Sequence, residues 1–261
     1  MIAVSKSRNI DLDALARSLG MRRFTARSVI LSVLLGSHPP RLAVATLIEF
    51  CRLFGIPAGT VRTALSRMAA AGELLLDDAS YQVTGDLLVR QRQQDLGRAL
   101  PTAAWDGTWW TAVVLADSRS TAERRRFRSA MSGAKMGELR PDVWMRPANV
   151  DPPDAADDLL VSRGPLTPTR STALAAQLWD LDALAARSEQ MVEAIEAIPD
   201  DGSGSLAPAF ITLAACLQFL RTEPQLPAEL ADPTPGEGLR TSYAEAERQF
   251  QTRLGEFLRG R

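Results

Sequence analysis

The sequence predicts an α+β protein, mostly helical, on three observations. Near the N-terminus, amphipathic helices joined by a short Gly-containing turn precede a pair of short strands. In the middle, strand-like runs surround one helix. From Thr172 onward the apolar residues recur at helical spacing. Four parts result: an N-terminal extension (1–21), a winged helix-turn-helix head with a linker helix (22–100), a degenerate ferredoxin-like middle domain (101–166) and a helical C-terminal domain (167–261).

The extension holds one small amphipathic helix, Leu12–Leu19. In the head, Thr25 can cap a helix through Ala26–Leu35, where Val29, Ile30, Val33 and Leu34 form one apolar stripe and Gly36 marks the stop. A second helix, about Val44–Phe54, repeats the pattern and ends at Gly55. The turn Gly55-Ile56-Pro57-Ala58-Gly59 leads into a third helix, about Thr60–Ala71.

That third helix has two faces. Val61, Ala64, Leu65 and Met68 point inward at helical spacing, while Thr60, Arg62, Thr63, Ser66 and Arg67 face out. Helix, short turn, helix is the unit that lays its second member in the DNA major groove. Arginine can donate two hydrogen bonds to a guanine edge, and Thr or Ser can reach bases or phosphates. An ordinary polar surface helix reads the same way in isolation, and so does a module that binds protein. The next segment favours the winged variant: Leu74–Leu76 and Tyr81–Val83 read as strands with a turn at Asp77–Ser80, and Asp86–Leu100 as a helix.

Charge is distributed to match. Residues 1–100 carry thirteen Lys/Arg against eight Asp/Glu, a net +5, whereas residues 101–261 carry seventeen against twenty-three, a net −6. A basic head on an acidic body suits a nucleic-acid reader. Other classes find no support. No apolar stretch approaches the ~20 residues that span a bilayer, and Met1–Leu19 lacks a signal-peptide core, so a cytoplasmic protein is expected. Cys51, Cys216 and the single histidine, His38, cannot build a disulfide framework or a zinc site. There is no Gly-rich phosphate loop and no Gly-x-Ser-x-Gly elbow. Neither a catalytic residue, a metal nor a cofactor is predicted.

In the middle segment, Trp109–Leu115 reads as a buried strand, Ser120–Met131 as a helix, and Val143–Arg146 and Leu159–Val161 as further strands. The Pro/Asp-rich stretch Val150–Asp158 leaves little room for the second helix of a full ferredoxin-like fold. Asp117 is a turn residue or, alternatively, a metal ligand of a nuclease-like site. Arg124, Arg125, Arg126 and Arg128 form either a phosphate-binding run or a solvated helix face. Trp110, Trp144, Trp179 and Tyr243 either line an aromatic ligand pocket or fill cores.

In the C-terminal segment a helix through Leu174–Ala185 is expected to break near Asp180, with Gln190–Ile198 continuing the pattern. Phe210–Arg221 reads as a buried helix and Tyr243–Leu258 as an amphipathic one. Pro224, Pro227, Pro233 and Pro235 enforce an extended connector between them.

The string Gly55-Ile-Pro-x-x-Thr-Val-Arg-Thr-Ala-Leu-Ser-Arg-Met68, with Ala71-Gly-Glu-Leu74 and Tyr81-Gln-Val-Thr84, resembles the DNA-binding head of the PaaX family, regulators of phenylacetate breakdown and their relatives. Trp105-Asp-Gly-Thr-Trp109, Arg124–Arg128, Pro141-Asp-Val-Trp144, Leu178-Trp-Asp-Leu181 and Leu217–Leu230 extend the likeness from about Arg22 onward. The resemblance implies that Arg62, Thr63, Ser66 and Arg67 read DNA and that Arg27 contacts phosphate. It also implies a homodimer, built with help from the middle domain, on a double-stranded operator, released by an aryl- or acyl-CoA thioester. Trp110, Arg124, Arg126, Arg128, Trp144 and Trp179 are the candidate effector contacts. One departure stands out: the family's wing is usually basic, whereas this one carries Asp77 and Asp78, which would repel a phosphate backbone.

Overall fold

The computed structural model describes residues 10–37, 39–85, 87–88, 104–115, 119–151, 158–199, 205–232 and 234–259. Most of the expected linker helix over 86–100 (all but residues 87 and 88), His38, Asp117 and most of Val150–Asp158 lie outside the described residues. Elements are helical for the greater part, with two small antiparallel sheets. The chain divides into two compact units: one of Met1–Gln94, Glu193–Cys216 and Ser242–Arg261, the other of Asp95–Val192 and Leu217–Thr241.

The first unit opens with α1 (Leu12–Ser18), capped by Asp11, whose carboxylate accepts from Ala14 N at 3.0 Å. Helix α2 (Ala26–Leu35) starts on a reciprocal cap: Ser28 N donates to Thr25 Oγ1 and Thr25 N to Ser28 Oγ. Seven of its ten residues are buried, which makes it the central helix of the head. A short strand, β1 (Arg41–Ala43), leads straight into α3 (Val44–Arg52). Helix α3 has no side-chain cap; its first amide, Val44 N, donates instead to the Ala79 carbonyl of the wing turn at 3.0 Å.

After the turn at Gly55, whose φ of +69° suits glycine, comes α4 (Ala58–Ala70). The hairpin β2 (Leu74–Asp77) and β3 (Ser80–Val83) closes on Asp78 and Ala79, both with positive φ. This is the two-residue turn whose backbone matches the twist of the paired strands. Strand β1 pairs with β3, giving the sheet order β1-β3-β2. Sequence periodicity misses β1, since three residues are too short to alternate.

The head's core extends far along the sequence. Phe50 of α3 stacks edge-on against Phe210 at 5.0 Å and Phe250 at 6.5 Å between centroids. Phe24 and Phe54 join the same cluster. Phe210 belongs to α8 (Leu206–Thr222) and Phe250 to α9 (Glu237–Arg259). Such rings supply more burial than small aliphatics and favour tilted contacts.

The second unit is built on a four-stranded antiparallel sheet of β4 (Thr108–Val114), β5 (Gly137–Arg140), β6 (Val143–Pro147) and β7 (Leu159–Pro165), in the order β5-β6-β4-β7. Helix α5 (Thr121–Gly133), capped reciprocally by Ser120 and Glu123, crosses from β4 to β5. Strand–helix–strand–strand–strand in that spatial order is the ferredoxin-like arrangement; among the described residues, nothing helical stands between β6 and β7. Periodicity does not reveal β5, and β7 runs longer than its sequence signal.

Alternation along the strands builds two cores. On one face Ala112, Trp144 and Leu159 pack with Phe127, Met131 and Met136. On the other, Trp109 and Met145 pack with Leu174, Ala175 and Leu230. Leu174 and Ala175 come from α6 (Pro168–Leu178), and Ser171 on the same helix accepts from Trp109 Nε1 at 3.0 Å. The predicted break falls at Trp179 and Asp180, before α7 (Leu181–Glu196) begins. No described helix is long and apolar enough to cross a membrane.

Candidate nucleic-acid interface

Helix α4 is held by its apolar stripe. Val61, Leu65 and Met68 are buried, Leu65 with 1% of its surface exposed. The opposite stripe, Thr60, Arg62, Thr63, Ser66 and Arg67, is exposed throughout. The Thr63 hydroxyl donates back to the Gly59 carbonyl at 3.0 Å, so its proton is committed to the helix and only its oxygen lone pairs face outward.

The arginines of α4 differ from four others in the head. Arg23 pairs with Asp13 at 3.2 Å, Arg27 with Glu73 at 2.5 Å, Arg41 with Asp77 at 2.8 Å, and Arg52 with Glu49. Neither Arg62 nor Arg67 has an ion-pair partner among the described residues. Two unneutralised guanidiniums on one exposed face produce a positive stripe along the second helix of the helix-turn-helix.

The PaaX-like protein family matches residues 25–86, the span from the cap of α2 to the end of the wing. A solved structure, an uncharacterised protein of Mycobacterium tuberculosis (Rv0674), is 36% identical to this chain. The match covers 89% of this chain and 98% of that one, with a TM-score of 0.69. The chain belongs to the PaaX-like family. A comparison with curated proteins gives no match. The PaaX family is one of transcription regulators rather than enzymes, and the fold of this PaaX-like chain is common to Rv0674 over nearly its whole length.

The remaining expected site residues divide between the head and the sheet domain. Arg27 lies at the head's surface but is engaged by both oxygens of Glu73, through Nε at 3.2 Å and Nη2 at 2.5 Å. In the acidic wing, Asp77 is neutralised by Arg41, which also donates to the Asp77 carbonyl. The wing's edge strand β2 exposes Leu75 and Leu76, at 56% and 54%.

The tryptophans are not gathered into one pocket. Trp144 is buried on the α5 face of the sheet, edge-on to Phe127 at 6.0 Å. Trp179 packs with the Trp109 cluster on the opposite face, its ring about 3 Å from where a side chain on Gly137 would begin. Trp110 is half-buried, donates from Nε1 to the Val150 carbonyl at 3.0 Å, and lies under the Arg163 guanidinium. The arginine run is exposed: Arg124 donates to the Arg119 carbonyl and Arg128 pairs with Glu138 at 3.0 Å. Tyr243 is buried in α9.

Among the described residues no group of three His, Cys, Asp or Glu could hold a metal ion. Sequence reasoning misses two cavities in the first unit. One, of about 500 Å³, lies beside the helix-turn-helix turn and is lined by Phe24, Phe54, Ile56, Thr60 and Ile211. The other, of about 350 Å³, has Leu206, Ala209, Phe250, Gln249 and Arg253 in its walls. The first borrows part of its wall from the Gly55–Thr60 turn, but in both the walls are completed by segments that are distant in sequence, so periodicity does not announce them.

Proposed function

We propose that this PaaX-like chain is a DNA-binding transcription regulator that reads its operator with α4. One observation carries the reading: among the described residues Arg62 and Arg67 stand exposed with no carboxylate partner on the outer face of α4, while Arg23, Arg27, Arg41 and Arg52 are each committed to a carboxylate. Arg62 and Arg67 supply base-edge or phosphate contacts, and Thr60, Thr63 and Ser66 supply shorter polar ones. Arg27, already paired, serves to hold α2 to the wing and contacts phosphate only after leaving Glu73. A dimer engaging two half-sites of an operator follows from the family resemblance and from the geometry of helix-turn-helix readers. The reading places the protein in the cytoplasm, with its DNA.

Regulation by a small molecule, an aryl- or acyl-CoA thioester by family resemblance, fits a head whose core is shared with distant helices. Phe250 lines the 350 Å³ cavity and also stacks on Phe50 of α3. A ligand there would bear on the helix that positions α4, and would release DNA by favouring the head geometry that no longer matches the half-sites.

The experiment is a gel shift on the DNA upstream of the protein's own gene, with acyl-CoA thioesters titrated into the bound complex. Arg67→Ala is expected to weaken specific binding by about 1–3 kcal/mol. Retention of full affinity by the Arg62→Ala/Arg67→Ala double variant at the same salt concentration would overturn the reading.

A further inference from the structure

Helix α5 of the second unit carries a concentration of charge that runs against its surroundings in the sequence. Residues 101–261 are acidic overall, yet four of their seventeen Lys/Arg, Arg124, Arg125, Arg126 and Arg128, fall within five consecutive positions. With Glu123 as its one carboxylate, α5 itself stands at net +3. The helix gains nothing from this run. Arg124 and Arg125 precede Arg128 by four and three residues, the spacing at which like charges repel. None of the four lies in the last turn, where a helix favours cations.

The fold accounts for some of these cations and not for others. Arg119, just before the helix, lies over the Phe127 ring at 3.8 Å and pairs with Asp158. Arg124 Nε donates to the Arg119 carbonyl at 2.9 Å, and Arg128 pairs with Glu138 at 3.0 Å. Arg125 and Arg126 have neither a hydrogen bond nor an ion pair among the described residues. Glu123 closes the cap, accepting from Ser120 N at 2.8 Å. Its bonds with Ser120, and after them the nearby charges of Arg126 and Arg119, hold its carboxyl below the usual range. At 3.6 residues per turn, Ala122, Arg125, Arg126 and Ser129 share the ridge opposite Phe127 and Met131, which pack on the sheet. All four are exposed.

We propose that this outer ridge of α5 binds the phosphate backbone of duplex DNA through Arg125 and Arg126, a second contact surface outside the helix-turn-helix. The ridge presents two guanidiniums, whose planar forks match phosphate oxygens, beside side chains too small to hold a backbone off. It carries no large apolar residue and so lacks the core on which a protein partner would settle. Neither cavity takes a wall from α5, so the ridge encloses no small ligand. An extended polyanion needs neither, since it binds by charge along its length. The proposal rests on the reading of the chain as a DNA binder, but not on α4.

The test is fluorescence anisotropy of the full chain on two labelled duplexes of equal length, one from upstream of its own gene and one scrambled. Affinities are read between about 50 and about 200 mM salt. Arg125→Ala/Arg126→Ala is expected to weaken both duplexes alike and to make the slope of log K against log salt shallower by about two per chain engaged. The wild type's advantage then shrinks about ten-fold across that range. Arg125→Lys/Arg126→Lys, which keeps both charges, should retain the wild-type slope. Wild-type slope and affinity in Arg125→Ala/Arg126→Ala, or a loss confined to the upstream duplex, would overturn the proposal and leave the reading of α4 standing. A shallower slope in that variant, with wild-type binding by Arg62→Ala/Arg67→Ala, would support it and sink the reading of α4 instead. No binding of either duplex by the wild type would overturn both. Poly-glutamate that displaces the duplex as well as unlabelled DNA does would point to an acidic protein on the ridge, and would overturn the proposal too.

Discussion

Arg27 and Glu73 grip each other through two parallel bonds, tying the first turn of α2 to the residue that enters the wing. Because Arg27 is about half exposed, the pair contributes under about 1 kcal/mol to stability. Its consequence for binding is larger, since the carboxylate cancels a cation near the reading face. Glu73→Gln is expected to strengthen non-specific DNA binding and to steepen the dependence of log K on log salt by about one phosphate contact. Gel shifts between about 50 and about 200 mM salt check it. An unchanged slope would mean that Arg27 never reaches DNA.

The two faces of α4 should separate cleanly on mutation. Leu65→Ala removes a side chain with 1% exposure and should cost about 2–5 kcal/mol of stability in urea unfolding. Arg62→Ala and Arg67→Ala touch no described partner, so Tm should hold within about a degree, the usual effect of a surface change below about 0.5 kcal/mol, while DNA affinity falls. A drop in Tm for the arginine variants would place those side chains in the fold rather than on the ligand.

The head is legible in the sequence because its physics is local. Thr25 capping Ala26, the stripe Val61, Leu65 and Met68, and the hairpin turn at Asp78-Ala79 are each set by residues within a few positions of one another. The exposed stripe of α4 is legible for the same reason. What stays hidden is non-local. Nothing near Phe50 announces that Phe210 and Phe250 complete its core. Whether Trp179 lines a ligand pocket or fills a core stays open in the sequence, which does not show that Gly137, the first residue of a strand without periodic signal, leaves room for its ring. The pairing of Arg27 with Glu73 is likewise out of reach, so nothing in the sequence shows that this arginine is already engaged by a carboxylate.

Gly137 and Gly236 are places where an added methyl should be felt. A Cβ on Gly137 would lie 2.9 Å from Leu178 Cβ and 3.0 Å from the Trp179 ring, both in a packed core. Overpacking of this kind costs about 1–3 kcal/mol. Gly236 combines a φ of +85° with 3.0 Å approaches to Arg240 and Glu223, the buried ion pair. Gly236→Ala should be at least as damaging, and Arg240→Ala, which strands Glu223, worse at about 3–5 kcal/mol. Urea midpoints of the three variants test this ranking.

The stability of the chain should rise with pH just above neutrality, and Lys135 sets the direction. Burial lowers this lysine to about 7 in the fold, against 10.5 in an unfolded chain. Below pH 7 both states carry the proton and the fold bears the full cost of the buried charge. As pH climbs past 7 the folded state gives up the proton that the unfolded state keeps, so folding is favoured progressively, by at most about 1.4 kcal/mol per pH unit. Cys51, which burial pushes up to about 12, acts in the opposite sense, but only above its ordinary value of 9.0, where the unfolded thiol ionises first. Arg146, lowered by burial to about 10, also titrates above that window. Urea midpoints at pH 7, 8 and 9 should therefore increase in the wild-type chain and lie flat in Lys135→Met, whatever that variant's absolute stability. A wild-type midpoint that falls between pH 7 and 9 would show that the ammonium beneath the end of α8 keeps its proton throughout.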